Sequence, residues 1–213
     1  NIKRLINYYE DHITHDPNIT LVKKEANYDM LVQGGYDAVI IAIGGKTRIL
    51  DVPGSDKSSV VYANDYLNGS RVVDGKNVVI IGGGITGAET ALELDNDGKN
   101  VTIVEMADTF LANSGSSCQA YNIAIAQSNI KIMTGKRLVA VEDNGVVLID
   151  RWGNENTVDA DNVVIAAGFT PQYDLANQLE ENTEMEVYNI GDSKKVRQIY
   201  DAIHEGFIAA RQI

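Results

Sequence analysis

The apolar residues at the start of the chain follow first the spacing of a helix and then that of strands. Apolar positions recur at helical spacing over residues 2–13 and predict a helix, which Pro17 ends. Residues 19–22 predict a short strand, and residues 28–32 predict a short helix. The run 38–43 is continuously apolar and β-branched, which predicts a strand covered on both faces in a parallel sheet.

A second region repeats the order of strand, helix and strand. Residues 78–81 and 101–104 have the pattern of buried strands, and residues 85–94 between them have that of a helix, so this region predicts one βαβ unit. The later predicted elements are a helix over 117–127, a strand over 130–133, strands joined by turns at 143–145 and 152–154, a strand over 163–167, a helix over 173–179, a strand over 186–190 and a helix over 196–211. This alternation predicts an α/β fold with parallel sheets.

Composition and charge narrow the classes of function. Acidic residues outnumber basic residues by 30 to 18, and the formal net charge of −12 argues against nucleic acids and anionic membranes as partners. The single cysteine, Cys118, excludes an internal disulfide and a cysteine-based metal cluster. The acidic pairs at 180–181 and 184–186 lack the residue order of a calcium loop, so no metal site is predicted.

The sequence shows no targeting segment. No apolar run approaches the roughly 20 residues that a bilayer span needs, and no signal pattern is present at the start. We therefore expect a cytoplasmic protein. The sequence opens at Asn1 directly in a helical pattern, without an initiator Met, and we expect it to be a piece of a longer chain.

The most informative stretch lies between a predicted buried strand and a predicted helix, and it reads Gly82-Gly83-Gly84-Ile85-Thr86-Gly87. The glycines of this G-x-G-x-x-G pattern each have a mechanical role. Gly82 permits a tight turn, Gly84 lets the backbone approach a pyrophosphate, and Gly87 lets the helix lie close to the strand. The free N–H groups and the positive end of the helix dipole would then hold the diphosphate of a dinucleotide.

An acidic residue follows at the distance that this fingerprint requires. Glu105 ends the second strand of the βαβ unit, about 20 residues beyond Gly82. A carboxylate at this position accepts hydrogen bonds from an adenosine ribose and repels a 2′-phosphate. The next residues, 106–108, include no basic side chain that would neutralise such a phosphate. The sequence therefore predicts binding of NAD(H) in preference to NADP(H).

The order of several motifs resembles that of flavoproteins with two dinucleotide-binding folds, in which an NAD(P) domain interrupts an FAD domain. These segments are most similar to the C-terminal half of NADH:flavin oxidoreductases of the 2,4-dienoyl-CoA reductase, 2-enoate reductase and trimethylamine dehydrogenase group. The likeness spans essentially the whole chain. The residues that carry it are the glycine loop, the strand end Ile40-Ile41-Ala42-Ile43-Gly44-Gly45, the strand end Val164-Ile165-Ala166-Ala167-Gly168-Phe169-Thr170-Pro171 and the closing run 191–207, from Gly191 to Phe207.

The resemblance implies roles for further residues. Glu89 would accept a hydrogen bond from the nicotinamide carboxamide, and Gly168 would close over the nicotinamide ribose. Toward FAD, the resemblance implies a set of contacts at Gly44 and Gly45, where the chain leaves the FAD domain, at Gly191 and Asp192 beside the ribityl chain, and at Arg197 and Gln198 beside the flavin carbonyl edge. Position 44 is glycine where the group commonly has threonine, and position 193 is serine where it often has cysteine.

The resemblance also implies a division into domains. Residues 1–70 would form part of an FAD-binding domain, residues 71–170 a Rossmann-like NAD(P)-binding domain inserted in it, and residues 171–213 the return to the FAD domain. The polar stretch 68–76 is the predicted crossing. The cofactors implied are NAD(H) on this chain and FAD shared with a segment ahead of it. FMN, in a barrel domain, and a four-iron cluster would lie only in that other part.

Three functions remain open at this point. The first is the dinucleotide-binding part of a flavin-dependent oxidoreductase, which would accept hydride from NADH onto FAD for relay to an FMN and iron–sulfur domain that reduces an unsaturated organic substrate. The second is a disulfide-reductase type of NADH oxidase, which would need a cysteine pair outside this chain. The third is a nucleotide-binding module without turnover. His12, His15 and His204 are dispersed, and no catalytic residue is assigned.

Overall fold

The structure, a computed structural model, describes residues 2–112, 115 and 118–213. It contains helices and strands in alternation. The helices are α1 (Ile2–His15), α2 (Tyr28–Gln33), α3 (Ala63–Leu67), α4 (Ile85–Asn96), α5 (Cys118–Ala126), α6 (Asp174–Asn182) and α7 (Ile199–Ala209). The strands are β1 (Ala38–Ile41), β2 (Lys46–Thr47), β3 (Val60–Tyr62), β4 (Asn77–Ile81), β5 (Asn100–Val104), β6 (Lys131–Met133), β7 (Lys136–Glu142), β8 (Gly145–Asp150), β9 (Glu155–Asp159), β10 (Asn162–Ile165), β11 (Phe169–Thr170) and β12 (Glu186–Asn189).

The larger sheet is parallel and has five strands in the order β3-β10-β4-β5-β6. Its central strands are buried on both faces because their side chains are apolar at successive positions; Val78, Val79 and Ile80 are at most 1% exposed. The predicted α/β fold with a parallel sheet is confirmed. Since all these strands point the same way, their carboxyl ends and the loops that follow lie along one edge of the sheet.

Different layers cover the two faces of this sheet. On one face, Leu138, Val146 and Leu148 of the antiparallel sheet β7-β8-β9 pack against β4, β5 and β10. On the other face, Leu94 of α4 and Ile125 of α5 pack against the alternate residues of the same strands. The three antiparallel strands are joined by the two short turns that the sequence predicts.

The smaller parallel sheet pairs two strands that are far apart in the sequence. β1 pairs with β12 from Ala38 opposite Glu186 to Ile41 opposite Asn189. A small core of Ile41, Ala176 and Leu179 joins this pair to α2 and α6. The chain therefore leaves this sheet after β1, builds the five-stranded sheet, and returns.

The antiparallel pair β2–β11 lies at the two places where the chain passes between the parallel sheets. Residues 68–76, the predicted crossing, lie between α3 and β4. They follow the passage at β2, since β3 already belongs to the five-stranded sheet. The division into domains stays a prediction. We propose that the first boundary lies at β2 rather than at residue 70.

Two predictions about strands are wrong. Residues 19–22 form no strand, and their side chains are exposed; since a strand needs a hydrogen-bonding neighbour, the apolar pattern alone does not produce one here. β1 is not covered on both faces, because Ile40 remains 36% exposed. The helix predicted at the start is present as α1, but it has no buried residue. None of the described helices has the length and apolar character that crossing a membrane requires.

The close approach of α4 to β4 gives a stability prediction. A Cβ atom at Gly87 would overlap the carbonyl oxygen of Gly82, whereas one at Gly84 would meet no atom within 4 Å. Gly87→Ala should therefore destabilise the fold by about 1–3 kcal/mol through overpacking, although helix propensity alone would favour alanine by about 1 kcal/mol. Urea unfolding measures the difference, with Gly84→Ala as the control; its methyl group meets no atom, and as an N-cap change it should cost less than Gly87→Ala. An equal or higher midpoint for Gly87→Ala would contradict the close packing.

Candidate functional site

The glycine loop lies at the carboxyl end of β4 and leads directly into α4. Gly82 has a φ of 114°, and a Cβ atom there would overlap the carbonyl oxygen of Ala166, which directly follows the neighbouring strand β10. This backbone conformation and this approach both require glycine. Gly84, in contrast, is exposed and faces open space. The loop is therefore tightly packed on its inner side and accessible on its outer side.

The first turn of α4 has main-chain donors available for a ligand. Gly84 is the N-cap residue, and none of the described side chains caps the helix. The first N–H groups of an α-helix, here those of Ile85, Thr86 and Gly87, have no acceptor within the helix. They add to the positive end of the helix dipole. This end of α4 can bind an anionic group such as a diphosphate.

Glu105 lies next to the loop, at the end of the adjacent strand β5. Its Oε2 atom accepts a hydrogen bond from the N–H of Gly83 at 2.7 Å, and its Oε1 atom accepts one from the N–H of Ala107 at 2.7 Å. The carboxylate is therefore fixed at one side of the open helix end. It places a negative charge and two acceptor atoms where a ribose would lie beside a bound diphosphate.

Glu89 lies one turn into α4 and is exposed. The hydroxyl of Tyr121, on α5, donates a hydrogen bond to its Oε1 atom. This hydrogen bond is the main reason why the pKa of Tyr121 is raised above its ordinary value. Gly168 lies two residues after Ala166, with a φ of 82°, and its carbonyl accepts from the N–H of Arg48 at 3.0 Å.

A second group of predicted residues lies at the carboxyl ends of β1 and β12. One cavity of about 420 Å³ is lined by Gly44, Gly191, Asp192, Arg197 and Gln198 together with apolar side chains of α7. Gly44 is far from the other four in the sequence, and they meet because β1 and β12 are neighbours. Gly45 lies beside them, where a Cβ atom would come within 3.1 Å of the Cβ atom of Phe169.

Glu205, which was not predicted from the sequence, links Gly191 and Arg197 beside this cavity. Its Oε2 atom accepts from the N–H of Gly191 at 2.7 Å, and its Oε1 atom pairs with the guanidinium of Arg197. The N–H of Arg197 in turn donates to Asp192 at 3.0 Å. The hydrogen bond from Arg197, and then that from Gly191, lower the pKa of Glu205. The sequence signal that could have pointed to Glu205 is a carboxylate on a predicted helix rich in apolar residues.

Basic residues near Glu105 were also missed, because they come from a distant hairpin. Arg151 pairs with Asp108, and Arg151 and Arg137 line a cavity of about 510 Å³ with Ala107 and Asp108. These arginines are remote in sequence from the residues that directly follow Glu105 along the chain. The guanidinium of Arg151 is paired with a carboxylate and lies over the ring of Trp152.

The remaining candidates do not form a catalytic group. His15 lies 3.2 Å from Asp11 on exposed α1, and the ring of His204 packs on Tyr200. Cys118 is a free thiol at the start of α5. Within residues 2–112, 115 and 118–213, no three side chains of His, Cys, Asp or Glu are grouped so as to hold a metal ion.

The Glu205 ion pair gives a prediction about pH. Because the pKa of Glu205 is lowered in the folded chain, the pair stabilises the fold above the ordinary value of 4.5 and this contribution is lost as the pH falls through the lowered pKa. Glu205→Gln should therefore melt below the wild type at about pH 7, and the gap should be smaller at about pH 3. Thermal unfolding followed by circular dichroism measures the gap.

Glu181→Gln, an exposed change of the same charge on α6, is the matched control and should leave the melting temperature unchanged. A gap between wild type and Glu205→Gln that is the same at both pH values would contradict the ion pair.

Comparisons with known proteins extend over nearly the whole chain. Cinnamate reductase from Clostridium sporogenes is 32% identical over 219 aligned positions, which cover 99% of this chain and 32% of that protein. NADH oxidase from Thermoanaerobacter brockii is 34% identical over 184 positions, covering 83% of this chain and 28% of that protein. The structure of 2-naphthoyl-CoA reductase superposes with a TM-score of 0.86 at 31% identity, covering 99% of this chain and 32% of that one. The chain thus spans about a third of the length of these relatives.

These findings confirm the resemblance to NADH:flavin oxidoreductases. The sequence model of the family described as pyridine nucleotide-disulphide oxidoreductase matches residues 2–206. That match covers more than nine-tenths of the chain. The chain therefore belongs to the pyridine nucleotide-disulphide oxidoreductase family, whose members are oxidoreductases that bind flavin and nicotinamide dinucleotides.

Proposed function

We propose that this chain binds NADH on the glycine loop and FAD at the cavity beside α7, as the dinucleotide-binding part of a flavin-dependent oxidoreductase. In the whole protein, the residues of this chain would hold NADH and FAD, and these cofactors would supply hydride transfer and the relay of electrons to an FMN and iron–sulfur domain that reduces an unsaturated organic substrate. The observation that carries this proposal is the accessible first turn of α4 beside the fixed carboxylate of Glu105.

The glycine loop fits a nicotinamide dinucleotide. The N–H groups at the start of α4 would hold the diphosphate, and the exposed side of Gly84 leaves room for the close approach of its oxygens. The carboxylate of Glu105 would accept hydrogen bonds from the adenosine ribose. Glu89 and Gly168 lie toward the other end of the ligand, where Glu89 would accept from the carboxamide and Gly168 would adjoin the second ribose.

The cavity beside α7 fits part of FAD. Gly44 and Gly191 leave space at the ends of β1 and β12, and Asp192 would bind a ribityl hydroxyl. Arg197 is held in ion pairs with Glu205 and Asp201, so we propose that it contributes its position and charge while Gln198 faces the flavin carbonyl edge. The remainder of an FAD site is expected in another segment of the protein.

The charges near Glu105 favour NADH over NADPH. A 2′-phosphate on the adenosine ribose would lie against the fixed carboxylate, and of the two arginines near Glu105, Arg137 and Arg151, the second already pairs with Asp108. The name of one relative, an NADH oxidase, supports the same direction. The name of another, cinnamate reductase, supports the reduction of an unsaturated organic substrate.

Glu105→Gln tests the dinucleotide preference. It removes the negative charge and one charge-assisted acceptor at nearly constant size, so the affinity for NADH should fall about tenfold. The affinity for NADPH should fall less or rise, since the repulsion of the 2′-phosphate is removed. Isothermal titration calorimetry with both nucleotides gives the ratio, and Glu181→Gln is the control. A ratio that is unchanged would contradict the role of Glu105.

Nucleotide binding by the chain itself tests the proposed function. NADH should bind measurably, while Gly84→Ala should bind more weakly and remain folded under the conditions of the titration, because a methyl group would obstruct the diphosphate. We expect little or no NADH-dependent reduction of a dye by these 213 residues alone. Equal NADH affinities of the wild type and Gly84→Ala would contradict the proposed diphosphate site. Rapid dye reduction would contradict the proposal that turnover needs other segments of the protein.

A further inference from the structure

Tyr121 and Glu89 form a contact that the glycine-loop fingerprint does not include. Tyr121 lies in the first turn of α5, Glu89 lies in α4, and the two helices pack against each other. The phenol hydroxyl of Tyr121 donates to Oε1 of Glu89. Neither the sequence pattern nor the proposed binding of the diphosphate accounts for this hydrogen bond.

The direction of helical side chains places this contact over the ligand end of α4. Side chains in an α-helix lean toward its N-terminus, and residues four positions apart share one face. Glu89 is four positions after Ile85, whose N–H belongs to the open first turn. The side chain of Glu89 therefore lies on the same face of α4 as that of Ile85, in the open first turn, and Tyr121 holds its carboxylate from the side.

The two side chains differ in how freely they move. Glu89 is exposed, and a glutamate has several rotatable bonds, so its carboxylate on its own would sample many positions. Tyr121 is half-buried and has a rigid ring with two torsions. A tyrosine hydroxyl is protonated at neutral pH and therefore able to donate, and its hydrogen bond to Glu89 raises the pKa of Tyr121 further. Because the phenol occupies Oε1, the lone pairs of Oε2 can accept from another donor.

We infer that Tyr121 is a positioning residue that orders the carboxylate of Glu89 to accept the nicotinamide carboxamide. This inference rests on the proposed function, since it needs a nicotinamide dinucleotide on the glycine loop. It assigns to α5 a share in recognising the nicotinamide end, and it separates that share from the diphosphate and adenosine contacts. A hydrogen bond that only held α4 against α5 would change the affinity for every ligand of the glycine loop to the same extent.

The test compares two ligands that share the diphosphate and adenosine but differ in the nicotinamide. NADH and ADP-ribose are titrated calorimetrically into the wild type and Tyr121→Phe. The affinity of Tyr121→Phe for NADH should fall about threefold to tenfold, the range expected for ordering one long side chain. Its affinity for ADP-ribose should stay within about twofold of the wild type, since that ligand does not reach Glu89.

Tyr188→Phe is the matched control. Tyr188 donates to Glu186 at 2.8 Å in a contact of the same kind on β12, and the pKa of Tyr188 is likewise raised by that bond. This variant should bind both ligands as the wild type does. Glu89→Ala adds a second check, because Tyr121→Phe should cause no further loss of NADH affinity once the carboxylate is absent.

The outcomes separate this inference from the proposed function. Failure of the wild type to bind ADP-ribose would overturn the proposed dinucleotide site itself. Binding of ADP-ribose with equal losses for both ligands in Tyr121→Phe would overturn the positioning role and leave a structural tie between the helices. An unchanged NADH affinity in Tyr121→Phe, or additive losses in the double variant, would also overturn it.

Discussion

The N–H groups at the start of α4 have no cap from any described side chain, and the surrounding residues keep them accessible. At Gly82 the chain turns with a positive φ and packs against the main chain of Ala166 after β10. Gly87 lets α4 lie close to that turn. With side chains at these two positions the helix would stand farther from the sheet, and the loop would not point its donors outward. The open helix end is thus a consequence of close packing on the inner side of the loop.

A chain of strongly negative charge can still bind an anionic ligand, because the local field differs from the sum of charges. At the start of α4 the main-chain dipoles supply positive partial charge, and their effect declines within the first turn. Glu105 is hydrogen-bonded directly to the loop, and in the proposed complex its position beside Gly83 would place it against a sugar rather than against a phosphate. Glu89 and Tyr121 would then act at the nicotinamide end. The same acid that attracts a ribose diol is the group that disfavours a 2′-phosphate.

The sequence predicts those features that are local in the chain. The βαβ unit, both hairpin turns and the glycine loop follow from runs of residues whose pattern is visible within about 30 positions. The prediction of a strand at 19–22 was wrong, because a strand needs a hydrogen-bonded neighbouring strand as well as a suitable composition. Glu205, Arg151 and Tyr121 could not be assigned beforehand, since each acts through a partner on another element: Gly191, Asp108 and Glu89.

A titration of the isotopically labelled chain with NADH, followed by the amide resonances in two-dimensional NMR, tests the central claim most directly. The account predicts that the amide signals of Ile85, Thr86 and Gly87 shift most, because their N–H groups receive the diphosphate. It also predicts smaller shifts beside Glu105 and none at Asp192. Shifts that concentrate at Asp192 or elsewhere, with the first turn of α4 unchanged, would contradict it.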